Sequence, residues 1–133
     1  MTIDQRVYGY IAREEHHQDR DYIIKEGSQG SWIYVILEGK VKVKKKTPKG
    51  VVTIQTLTEG DIIGEMILWQ AGEGERIASV IAEGPTVLGL LDTDRIIMEY
   101  ESLSPRMKSL LKSLILKLNE TTKKAVSLAV ETA

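Results

Sequence analysis

The spacing of apolar and polar positions changes period once along this chain. From Tyr22 to Asp92, short runs rich in Ile, Val, Tyr and Thr alternate with turn residues. Residues 22–25, 32–38, 40–46, 51–57, 76–82 and 86–92 are predicted strands. The breaks are Glu26-Gly27-Ser28-Gln29-Gly30, Glu38-Gly39, Thr47-Pro48-Lys49-Gly50, Glu59-Gly60-Asp61 and Glu83-Gly84-Pro85. Strands this close, with no helix between most of them, predict an antiparallel β-roll of jelly-roll type.

Beyond Asp92 the period becomes helical. Residues 94–101 are a predicted short helix. Ser104-Pro105 then supplies a capping hydroxyl and a proline at the first helical position. Apolar or small residues follow at Met107, Leu111, Leu114, Leu118, Thr121, Ala125 and Leu128, alternating four and three apart as in a heptad seam. Leu110, Ile115, Val126 and Ala129 widen the apolar surface. Such a helix rests one face on its own β-domain and offers the other to a partner. The expected architecture is mainly β with C-terminal helices. Residues 1–95 form the roll, 96–133 the helical segment, and a homodimer pairs through 107–128.

Composition narrows the function classes. The chain has 133 residues, which is one domain's worth, and no cysteine. Disulfides and thiolate metal sites are excluded, and a cytoplasmic setting is expected. No apolar run reaches membrane-spanning length, and the first residues do not read as a signal peptide. With a net charge of −1, the chain as a whole carries no nucleic-acid footprint. His16 and His17 are adjacent and have no third histidine or cysteine to complete a metal site. No nucleophile–base pairing stands out, so an enzyme is not expected.

The candidate chemistry lies between Gly60 and Ala82. Gly64-Glu65 precedes Arg76, with Gly72 and Gly74 between them and a β-like run after the arginine. A carboxylate accepts hydrogen bonds from sugar hydroxyls, and a guanidinium forks onto phosphate oxygens. Backbone N–H groups beside glycine add further donors. Taken alone, Glu65 and Arg76 read more readily as an ion pair bracing a hairpin; the surrounding motifs reverse that preference toward ligand binding. The lysines from Lys40 to Lys46 read as a solvated strand face that discourages edge pairing rather than as an anion patch. Trp32 reads as structural, and Trp69 lies between Glu65 and Arg76.

Four ordered fragments carry a resemblance: Ile24-x-Glu26-Gly27-Ser28-x-Gly30, Tyr34-x-Ile36-x-x-Gly39-x-Val41-x-Val43, Gly60-Asp61-x-x-Gly64-Glu65 and Arg76-x-Ala78-Ser79-Val80. Together they resemble the cyclic-nucleotide-binding domain family, across roughly residues 20–130. The resemblance implies a phosphate-binding cassette at 64–79. Glu65 would accept the ribose 2′-hydroxyl, Arg76 would pair with the cyclic phosphate, and Gly64 would admit the sugar. Backbone donors near Met66, Ile67, Ile77 and Ala78 would complete the cradle. The stretch from Lys117 to Lys124 resembles the dimer helix of catabolite-activator-type bacterial regulators, which implies purine contact from Thr121 or Thr122.

The implied function is a dimeric sensor domain for a cyclic nucleotide, cyclic AMP first and cyclic GMP second, as in the sensor part of a transcription regulator. The chain departs from the family pattern in a lengthened cassette, in Ile67 and Ile77 where small residues are usual, and in Glu75 at the common proline position. These departures support an alternative: a β-roll that has lost its ligand and works as a dimerisation module.

Overall fold

The structure is a computed structural model that describes residues 4–28, 32–64 and 78–132, with the side chain of residue 132 left aside. A 3-10 turn, Gln5–Tyr10, leads into β1 (Ile11–His17) and β2 (Tyr22–Ile24). Two long strands dominate the sheet: β3 (Ile33–Thr47) and, after β4 (Gly50–Thr58) and β5 (Ile62–Ile63), β6 (Ser79–Leu91). Helices α1 (Thr93–Glu101) and α2 (Pro105–Thr132) follow. Among the described residues all pairing is antiparallel in the order β1-β6-β3-β4, with β2 also on β6 and β5 also on β3.

Alternation along β3 builds two cores. Tyr34, Ile36 and Val41 point to one side and pack with Ile24, Ile63, Val80, Leu88 and Leu90. Ile33 and Val35 point to the other and pack with Leu91 beneath Val7, Tyr8, Tyr10, Ile11 and Ile96. Four consecutive buried residues on one strand therefore serve the roll interior and its helical cover by turns, as the two-residue period dictates.

Two predicted breaks prove to be one bend. Glu38-Gly39 and Glu83-Gly84-Pro85 do not end strands; they lie opposite each other within β3 and β6. Glu38 pairs with Val87 and Lys40 with Glu83, so residue 39 faces residues 84–86 across an irregular register. Gly39 has φ +91, and a Cβ placed there would stand 2.5 Å from the Pro85 carbonyl oxygen. Glycine and proline here mark a bulge that turns the paired strands together.

β1 and the setting of the lysines also differ from the expected pattern. β1 is absent from the predicted strands. Lys40 to Lys44 pair with both β4 and β6, so β3 is an inner strand and these lysines guard no edge.

Helix α2 starts where its predicted cap places it, and α1 starts at Thr93, one residue before the expected 94. The Asp92 carboxylate accepts the Arg95 N–H at 3.1 Å, and the Ser104 hydroxyl accepts the Met107 N–H at 3.2 Å. A cluster ties α1 to the N-terminal turn. The Tyr10 hydroxyl donates to Glu99, Arg95 Nη1 donates to the Gly9 carbonyl at 3.2 Å, and the Asp92 N–H donates to the Tyr10 carbonyl at 2.7 Å.

Candidate functional site

The stretch from Gly64 to Ser79 is bracketed by two anchored ends, and both ends sit on β3. At the first end, the Gly60 N–H donates to the Ile36 carbonyl at 2.8 Å and the Ile36 N–H donates to the Asp61 carbonyl at 3.0 Å. Ile62 and Ile63 then pair with Val35 and Tyr34, and Ile63 is buried. The chain leaves this bridge through Gly64 at φ +84, a left-handed conformation that a side chain disfavours.

At the second end, Ala78 is half-buried and Ser79 opens β6 opposite Lys44. The buried Ser79 hydroxyl accepts the Glu26 N–H at 2.8 Å. The Glu26 carboxylate in turn accepts Lys45 Nζ at 2.7 Å and the Lys46 N–H at 3.0 Å. Burial works against ionisation of Glu26 and is the largest single influence. The Lys45 and Lys46 hydrogen bonds and charges together outweigh it and hold the carboxyl below its ordinary value. The turn Glu26-Gly27-Ser28 is thus locked to the end of β3 and the start of β6.

Of the nine predicted site residues, Gly64, Ala78, Thr121 and Thr122 are described. Glu65, Met66, Ile67, Arg76 and Ile77 lie outside the described residues, as does Trp69. The two threonines fall on different faces of α2, which packs on β4. Thr122 is half-buried, in line with Leu111, Ile115, Asn119, Val126 and Ala129. Thr121 is exposed, and its hydroxyl donates back to the Lys117 carbonyl at 3.0 Å. It shares its face with Met107, Leu114, Leu118 and Leu128, each 45–61% exposed. The predicted seam is therefore the outward stripe of α2, except that Leu111 belongs to the inward one.

Other candidates resolve into local contacts. His17 lies 2.5 Å from Glu15 and 3.6 Å from Asp21, while His16 is exposed beside Glu14. Among the described residues no cluster of His, Cys, Asp or Glu has the makings of a metal site. The Arg13 guanidinium stacks 5.2 Å from the centre of the Trp32 ring. Lys42 meets Glu83 at 3.5 Å. Among the described residues no helix is long and apolar enough to cross a membrane.

Sequence reasoning gave Glu26 and Ser79 no role, although both lie in the fragments that carried the resemblance. A glutamate ahead of Gly27 was the visible signal. Its partners, 53 and about 20 residues away, were not.

Comparison with known proteins agrees with this architecture. The profile of the cyclic nucleotide-binding domain family matches residues 14–101, from within β1 to the end of α1. A cGMP-dependent protein kinase of Drosophila melanogaster (isozyme 2, forms cD5/T2) is 33% identical over 87 residues, which are 64% of this chain and 9% of the kinase. The chain thus spans less than a tenth of that curated relative. A cyclic nucleotide-binding domain from Methylobacillus flagellatus superposes with a TM-score of 0.69 at 25% identity, over 97% of this chain and 71% of that one. The EAL enzyme Bd1971, solved in a cAMP-bound form, superposes with a TM-score of 0.72 at 23% identity, over 86% of this chain and 30% of the enzyme, and shares the fold.

An antiparallel roll among the described residues and a profile match over most of the chain define the class. The chain belongs to the cyclic nucleotide-binding domain family.

Proposed function

We propose that this chain is a regulatory, non-catalytic domain that binds a cyclic purine nucleotide, cyclic AMP ahead of cyclic GMP. The observation that carries the reading is the bracketed cassette. Gly64, at φ +84, and Ser79, on β6, flank Glu65 and Arg76, and the family match runs through both. In this reading Glu65 accepts the ribose 2′-hydroxyl. Arg76 forks onto the cyclic phosphate, and the backbone at Met66, Ile67, Ile77 and Ala78 supplies further donors. Preference for adenine comes from Thr121 or Thr122 on α2, and no metal takes part.

The outward apolar stripe of α2 supports a homodimer through 107–128, in which each helix covers the other's Leu114 and Leu118. Signalling is then a population shift. Nucleotide seated in the cassette favours one packing of α2 over another, and only by as much as it binds that packing better. The same stripe fits the sensor part of a transcription regulator, and the cysteine-free composition fits a cytoplasmic setting. Ile67 and Ile77 favour a second reading, a ligand-free dimerisation module, because their bulk crowds a phosphate.

Arg76→Ala tests the first reading. Loss of a charge-assisted fork onto a bound phosphate should weaken cyclic AMP by about 2–5 kcal/mol. Equal affinity of wild type and variant contradicts the assignment of Arg76. Glu65→Ala should erase most of the wild type's discrimination against the 2′-deoxy ligand.

A further inference from the structure

We propose that the free edge of β4 is a docking site for an extended acidic peptide, which adds a strand to the sheet and sets its carboxylates beside the lysines of β3. The proposal does not depend on nucleotide binding.

The lysines call for an explanation because β3 is an inner strand and they guard no edge. Lys40, Lys42, Lys44 and Lys46 alternate with Val41, Val43 and Lys45. Val41 and Val43 pack in the roll interior, and Lys45 reaches Glu26 at 2.7 Å. The other four therefore share the outer face, about 7 Å apart along the strand. Like charges so spaced repel one another. Lys42 meets Glu83 at 3.5 Å, and the Lys46 N–H donates to Glu26 at 3.0 Å. Lys40 and Lys44 have no acidic partner among the described residues.

The edge that a lysine would guard is β4, and β4 carries none. Residues 50–58 read Gly-Val-Val-Thr-Ile-Gln-Thr-Leu-Thr, with no charge and no proline. Among the described residues β4 pairs with β3 alone. At its end the Thr58 N–H donates to the Asp61 carboxylate at 2.9 Å, and the Thr58 carbonyl accepts the Asp61 N–H at 3.0 Å. Residues 51–57 are the open edge, divided once by the register shift at Val43/Lys44. An uncharged, β-branched edge of this length offers its backbone N–H and C=O groups to a further strand.

Two features choose the partner. The β4 residues opposite the lysines are short: Thr58 faces Lys40, Thr56 faces Lys42, Thr53 faces Lys44 and Val51 faces Lys46. All four are exposed with α2 in place. A lysine stem can lie across such a residue toward the added strand, whose backbone runs about 10 Å from β3. Carboxylates at alternate positions of that strand repeat at the spacing of the lysines, so each can answer one. A second copy of β4 is the wrong occupant. It would extend the sheet with another row of lysines on the same face and no carboxylate between the rows.

The test is binding of a fluorescent peptide that alternates Glu with Val over about ten residues, read by anisotropy, with light scattering in parallel. The peptide should bind saturably, and less tightly as salt rises. A Lys–Val counterpart should not bind. N-methylation of every Glu or of every Val blocks one edge of the peptide or the other. One methylated peptide should lose at least about tenfold in affinity and the other should keep it. Lys40→Gln with Lys44→Gln should weaken binding about tenfold and leave the melting temperature near wild type, because neither lysine gives up an ion pair. Equal binding of the Glu and Lys peptides, equal effects of the two methylations, or wild-type affinity of the double variant each overturn the proposal. A mass that falls as peptide binds puts a second copy on β4, and an oligothymidine that binds as tightly as the Glu peptide puts a nucleic acid there. Either result overturns the acidic peptide as occupant.

Discussion

Gly39 and Pro85 meet at the bend of the two long strands: a Cβ on Gly39 would stand 2.5 Å from the Pro85 carbonyl oxygen. The contact lies in backbone, so neither partner yields easily. Gly39 also has φ +91, which strains any side chain. Gly39→Ala should destabilise the fold by at least about 1–3 kcal/mol, measured by denaturant unfolding. Gly9→Ala, with nothing within 4 Å and no positive φ, is the control and should be near neutral. Equal stabilities of the two variants would show that the bend does not depend on the close approach.

The paired Glu26 carboxylate has a pH signature. Its folded-state pKa is lowered, so its contribution to stability is present in full above the unfolded glutamate value. It is lost as pH falls through the folded one. Wild type should exceed Glu26→Gln in stability by a constant margin near neutrality. The margin should shrink as pH drops below the ordinary carboxylate range. A margin that does not change with acid contradicts an ionised, paired Glu26.

Tyr10 should behave in the opposite sense. Its hydrogen bond to Glu99 raises its pKa, with burial and the Glu99 charge adding to it and Arg95 opposing. Stability from the neutral hydroxyl is present below the unfolded tyrosine value and lost as pH rises through the folded one. Tyr10→Phe should destabilise by about 0.5–1.5 kcal/mol at neutral pH. It should increase hydrogen exchange in the N-terminal turn and α1, which the cluster with Arg95 and Gly9 joins. Unchanged exchange in α1 would place the coupling elsewhere.

The outward stripe of α2 bears on assembly. Leu114 and Leu118, at 53% and 54% exposure, lie one turn apart near its middle. Light scattering should give twice the chain mass for wild type and the single-chain mass for the pair Leu114→Lys and Leu118→Lys. A monomeric wild type refutes the dimer, and a dimeric double variant moves the interface off this stripe.

Most strands were legible because their apolar residues are β-branched and their turns hold glycine. The bend was misread as two breaks because Gly39 and Gly84-Pro85 carry turn chemistry, and sequence does not show that the two lie opposite each other. β1 was missed for a different reason. Its half-buried positions include Glu15 and His17, which satisfy one another, so no apolar alternation marks it. α2 was read from its spacing, but periodicity alone did not decide that Leu111 turns inward while Leu114 turns out. In the site, Gly64 was singled out for close approach of a sugar, whereas its positive φ is a finding of the structure. Ser79 was not, because its partner is distant in sequence and its hydroxyl acts on backbone.

The most direct measurement is a calorimetric titration of the wild-type chain with cyclic AMP and, separately, cyclic GMP. The account predicts saturable binding of one nucleotide per chain, with cyclic AMP the tighter ligand. No binding of either nucleotide at high micromolar concentration would contradict it and leave the roll as a dimerisation module.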